Sequence, residues 1–156
     1  MRLAGAEAEE KTMLGKNIAK YSGKHPPGTT PDPAIAAAAT ARALEGHVTC
    51  ATAHDLATEL AVTPGEVGRT IDLLDLRLTE CQMGLFGYSP EKSIVRPAGS
   101  VSKELRSHLQ NATKEDKISC ASCWEVAELL GLEKMEVAAA CNKLNLKIEP
   151  CQLGAF

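Results

Sequence analysis

The chain of 156 residues is 44% hydrophobic and 24% charged, proportions that fit one compact domain or two small ones and exclude wholesale disorder or a coiled coil. Aromatic residues make up only 3%, too few for a platform on which single-stranded nucleic acid could stack, and the formal charge of -3 gives no bulk attraction to a polyanion. The longest apolar stretch, Ala34 to Ala39, falls far short of the roughly 20 residues of a membrane-crossing helix, and Met1 to Glu10 lacks the apolar centre of a signal peptide. The expectation is a cytoplasmic protein with no membrane partner, whose six cysteines are reduced thiols and not a disulfide framework.

The first 22 residues carry Leu14, Ile18 and Tyr21 at i, i+4 and i+7, the spacing of an amphipathic helix or arm. Its stripe would dock on the rest of the chain or join two copies as a homodimer. Beyond it the sequence repeats. Without a gap, Cys50 to Phe86 aligns with Cys120 to Phe156, and 12 of the 37 positions are identical. Chance would give about two, so the chain reads as an internal duplication. The units span 23–86 and 93–156, joined by a polar linker over 87–92.

In chain order, Pro26-Pro27-Gly28 marks a turn, and a helix follows from about Pro33 to Leu44, with a proline suited to its first turn. His47-Val48-Thr49 reads as a very short strand. Two helices joined by a tight turn come next, their apolar positions at Leu56, Ala57, Leu60, Val62 and Val67. Thr63-Pro64-Gly65-Glu66 supplies a cap, a proline at the first helical position and a glutamate three residues after the cap. Leu76 and Leu78 then alternate inward against Arg77 and Thr79 as a strand. The second unit repeats the order: a turn at Pro97-Ala98-Gly99, a helix from about Ser102 to Asn111, a strand at Lys117-Ile118-Ser119, paired helices within Cys123 to Lys143 with Gly131 at their turn, and a strand through Leu146 and Ile148. Each unit closes with Cys-Gln-(Met/Leu)-Gly-(Leu/Ala)-Phe.

Helix, short strand, helix, turn, helix, strand is similar to the winged-helix family of DNA-binding domains over nearly all of both units. The fold expected is mainly α with small β ribbons: two tandem winged-helix-like, helix-turn-helix repeats with truncated wings, since Pro150 withholds a ladder hydrogen bond where a return strand would pair. The resemblance implies a DNA-binding or transcription-regulatory module with two second helices in major grooves. On those helices Gly65, Gly68, Arg69 and Asp72 in the first unit, and Lys134, Met135, Ala139, Asn142 and Lys143 in the second, would face outward. Of these, Arg69, Lys134, Asn142 and Lys143 are the candidates for duplex DNA, and Asp72 would repel its backbone. The cationic supply is thin: residues 23–86 hold four basic against eight acidic residues, and residues 93–156 hold eight of each. The alternative is therefore a protein-interaction or assembly module on the same fold.

Cys50, Cys81 and their repeat partners Cys120 and Cys151 follow the expected strands, which would bring two thiols together in each unit. They read either as small apolar core residues or as a thiol pair or metal site. The CxxC of Cys120 and Cys123, with Cys151 and Cys141, makes a four-sulfur set within the second unit for zinc or an iron-sulfur cluster. Cys123 and Cys141 sit at apolar positions of the repeat, matching Ala53 and Ile71, so the expectation is no cofactor. No Gly-rich phosphate loop, Ser-His-Asp order or carboxylate cluster stands in the sequence, and no enzyme is expected.

Overall fold

Asp32 begins the first helix of the computed structural model, which describes residues 21–156. Its carboxylate accepts the Ala34 and Ile35 backbone N–H groups, and helix α1, Pro33–Arg42, buries Ile35 and Ala39. Strand β1, His47–Thr49, leads directly into α2, Cys50–Leu60, whose cap Thr49 accepts the Thr52 N–H. Ala61 ends that helix in the left-handed region at φ 56°, and Thr63 and Glu66 form the reciprocal cap of α3, Pro64–Leu73. Strand β2, Arg77–Thr79, completes the unit.

The second unit follows the same plan. It comprises α4, Lys103–Ala112; β3, Lys117–Ile118; α5, Cys120–Leu130; α6, Lys134–Lys143; and β4, Lys147–Ile148. Gly131 takes the turn at φ 69°, where Ala61 stands in the first unit. The described chain is thus mainly helical with small strands. Leu14 and Ile18 lie outside the described residues, and Tyr21 opens a 3-10 turn, Tyr21–Lys24.

The strands depart from a wing. Strand β1 pairs parallel to β2, and β3 parallel to β4, in one register: His47 opposite Arg77, and Lys117 opposite Lys147. Parallel neighbours need a long crossover, here the two intervening helices, whereas a wing needs a hairpin. No return strand follows β2 or β4 among the described residues. Each closing motif instead folds into a ring. The Cys81 N–H donates to the Phe86 carbonyl and the Gly84 N–H to the Cys81 carbonyl, and Cys151, Phe156 and Gly154 repeat both bonds. Thr79, expected outward, is buried beside Leu78.

Two cores result, and they share residues. Ile35, Val48, Leu56, Val67 and Ile71 fill the first; Leu109, Ile118, Val126, Val137 and Cys141 fill the second. Leu60, expected in the interior with Ala57 and Val67, lies only half-buried at the margin, as do Leu74 and the second unit's Leu130 and Leu144. Leu153 of the second closing loop is buried in the first core, and its repeat counterpart Met83 is buried in the second. Repeat-equivalent residues also touch each other. His54 stacks on Trp124 with ring centroids 4.3 Å apart, and Phe86 meets Phe156 edge to face at 5.8 Å. Reciprocal insertion and self-contact of equivalent positions are the marks of an isologous interface, so the chain folds as a covalently joined pseudo-twofold pair.

Candidate functional site

The closing loops pack on part of the helix faces that the winged-helix resemblance assigns to DNA. On α3, Gly68 lies so close to the second loop that a β-carbon there would stand 1.8 Å from the Leu153 carbonyl oxygen. On α6, Ala138 is buried, Met135 stands against Gly84 of the first loop, and the Ala139 carbonyl accepts the Ala98 N–H at 3.0 Å. Gly68 is therefore not an outward residue.

Neither is Asp72. It is 5% exposed, and its Oδ2 takes Lys24 Nζ at 3.1 Å and His25 Nε2 at 3.0 Å. Lys24 also donates to the Gly154 carbonyl, and Ser22 donates its N–H and hydroxyl to Asp75. These bonds clasp the Tyr21–Lys24 turn onto α3 and onto the loop from the second unit. The expected repulsion of a DNA backbone by Asp72 does not arise, because its charge is already matched.

Among the candidate DNA-binding residues, Arg69, Asn142 and Lys143 are exposed. Lys134 is engaged: its ammonium sits 4.5 Å from the centre of the Trp124 ring. Burial, and then the nearby Lys134 charge, hold the His54 imidazole below its ordinary pKa. Trp124 packs against both cores, and its indole N–H is buried with no partner among the described residues.

The repeated cysteines have structural partners. Cys81 Sγ accepts the Met83 N–H and Cys151 Sγ the Leu153 N–H, each at 3.4 Å, tightening the rings. The Gln82 amide reaches Cys50 Sγ at 3.8 Å, and the Gln152 amide reaches Cys120 Sγ at 3.5 Å. A small sulfur makes such a bond without the desolvation cost of a carboxylate. Burial pushes the Cys50 thiol up to about 11 and raises Cys81 and Cys120, the reverse of a reactive thiolate.

The four repeated cysteines gather where the cores meet: Cys81 belongs to the second core with Cys120 and Cys151 packs against the first with Cys50, while, after burial, Cys81 also helps raise Cys50 and Cys151 helps raise Cys120 within their own units. The CxxC set separates. Cys123 lies 3.9 Å from Cys141 between α5 and α6, while Cys120 faces Gln152 and Met83. Among the described residues no group of three or more His, Cys, Asp or Glu is placed to hold a metal, and no helix is long and apolar enough to cross a membrane.

Two of the clefts among the described residues are related by the repeat. The first is lined by Asp72, Leu76, Arg77, Leu78, Phe86 and Ala155. The second presents their counterparts Asn142, Leu146, Lys147, Ile148, Phe156 and Leu85. Each cleft thus has a floor from one unit's β-strand and a wall from the other unit's loop, with Phe86 lining both. Sequence reasoning missed them because each needs the crossing of the loops; the identical Gln, Gly and Phe of the closing motif were the available signal.

Neither a family model, nor a curated protein, nor a solved structure matches the chain.

Proposed function

We propose that this chain is a protein-interaction or assembly module made of two helix-turn-helix units. One observation carries the reading: the closing loop of the opposite unit packs on α3 at Gly68 and stands against Met135 on α6, taking part of each face that would enter a major groove while Arg69, Asn142 and Lys143 stay exposed. A loop seated at Gly68 or Met135 narrows the approach of base edges to these faces. The charge agrees, since a surface with net -3 does not build the basic footprint that phosphate binding needs. Apolar side chains such as Phe156, 41% exposed at a cleft of about 580 Å³, supply what a polypeptide partner would bury.

DNA binding is the second reading, favoured by the exposure of Arg69, Asn142 and Lys143. Anisotropy of labelled random duplexes at low salt separates the two. We expect no saturable binding. Binding that weakens in Arg69→Ala and Lys143→Ala, with a salt slope lower by about one for each phosphate left without its cation, would reverse the order. For the protein reading, a captured partner is purified and titrated against the chain, and hydrogen exchange maps the footprint. A purified partner that leaves exchange unchanged everywhere would end it.

A further inference from the structure

Helices α5 and α6 meet through two sulfur atoms. Cys123, near the start of α5, and Cys141, near the end of α6, place their Sγ atoms 3.9 Å apart, one thiol donating to the other, and both side chains are fully buried. In the first unit the same two positions hold Ala53 and Ile71, which are buried as completely. Packing is therefore satisfied at this place by an alanine and an isoleucine. The second unit departs from the repeat at both positions, with a thiol each time, and the two departures lie against each other. The neighbouring Cys120 is engaged with Met83 and Gln152, so Cys123 and Cys141 stand as a dithiol of two.

We propose that Cys123 and Cys141 are an oxidisable pair that a small peroxide closes into a disulfide, a redox staple between the two helices of the second helix-turn-helix. Donation by the Cys123 S–H, opposed by burial, holds the Cys141 thiol below its ordinary pKa, while the same bond and burial push Cys123 up. Cys141 is thus the nucleophile. Its thiolate attacks one peroxide oxygen: the S–O bond forms, the O–O bond breaks, and the hydroxide released becomes water with the proton that Cys141 has shed. The Cys123 sulfur then attacks the sulfenic sulfur. The S–S bond forms, the S–O bond breaks, and the departing hydroxide leaves as water with the Cys123 proton. Two thiols lose two electrons, and one peroxide becomes two waters. Full burial keeps larger thiols from competing for the sulfenic acid, whereas hydrogen peroxide is little bigger than water. This chemistry is independent of the partner that the module takes.

The full chain, reduced and then freed of reductant, is treated with hydrogen peroxide while folded, quenched with catalase, and alkylated in urea before digestion with trypsin. Cleavage after Lys117, Lys134 and Lys143 separates the two cysteines, so the disulfide should appear as peptides 118–134 and 135–143 joined and short of two hydrogens, with fragment ions placing the link on Cys123 and not on Cys120. The oxidised chain should unfold at a urea concentration higher by about 1 M, as for a crosslink that closes a loop of this length, and dithiothreitol should reverse the shift. Cys123→Ala with Cys141→Ile installs the residues that pack in the first unit, and peroxide should not raise its midpoint. Cys123→Ala alone removes the resolving thiol, so peroxide should leave Cys141 as a sulfenic acid that dimedone, added with the urea, traps. Peroxide that leaves Cys123 and Cys141 open to alkylation, links them only in urea, joins Cys120 in place of Cys123, or raises the midpoint as much in the double variant would overturn the proposal. So would a linked chain whose midpoint does not move.

Discussion

Gly68 is the residue on which the packing of the two units turns. With the Leu153 carbonyl oxygen 1.8 Å from where a β-carbon would lie, Gly68→Ala must push the second closing loop off α3. The expected cost is about 1 to 3 kcal/mol by denaturant unfolding, in the range of overpacked cores. Ala61 offers the opposite case. It holds φ 56° where its counterpart Gly131 holds 69°, and only glycine adopts that region without steric cost. Ala61→Gly should therefore gain up to about 1 kcal/mol, and Gly131→Ala should lose about as much. His54 sets a pH dependence. Its folded pKa lies below the unfolded value, so the unfolded chain binds the proton more readily, and stability falls as the pH drops below about 6.5. The loss in unfolding free energy between pH 7 and pH 5 should be smaller in His54→Phe than in the parent chain.

At the scale of elements, each helix start is secured locally and each closing loop is secured at a distance. Thr63 accepts the Glu66 N–H at 3.1 Å, and Glu66 returns a bond to the Thr63 N–H at 3.1 Å. Thr63→Ala should cost about 1 kcal/mol, a typical loss for a helix cap. The ring of Cys81 to Phe86 is built by local bonds, but its value lies in Met83, buried in the other unit's core. Met83→Ala should destabilise by about 2 to 5 kcal/mol, as for a core methionine. Trp124, in the second unit, should report that loss by fluorescence although the substitution is in the first. A Met83→Ala variant whose Trp124 transition does not move would mean that the loops are not mutually inserted in solution.

For the whole molecule, reciprocal insertion makes each core incomplete without the other unit. Thermal or urea unfolding should be one transition, with Trp124 fluorescence and helical circular dichroism coincident, as two-state behaviour requires. Fragments 21–92 and 93–156 should be poorly helical when separate and gain helicity when mixed. Two resolved transitions, or a second fragment that folds alone with a sharp transition, would contradict the shared core. The Tyr21–Lys24 clasp adds to this coupling, because Lys24 bridges Asp72 of the first unit and the Gly154 carbonyl of the second.

The duplication, the helix boundaries, the caps at Thr63 and Ser102 and the turn at Gly131 were legible in the sequence, because local rules decide them within a few residues: side-chain oxygens beside orphan N–H groups, and a glycine where φ is positive. The closing motif was legible as a repeat but not as a ring, since its identities do not say whether Cys and Phe bond to each other or pair with a neighbouring strand. Where Met83 and Leu153 go could not be read at all. An apolar residue in a loop is equally satisfied by its own unit's core or by another's, because burial is non-directional. That choice decided that the opposite unit's loops partly cover α3 and α6, whereas Lys24 and His25 meet Asp72 from the segment before α1, and the Tyr21–Lys24 turn narrows the first cleft to about 230 Å³ against about 580 Å³ in the second.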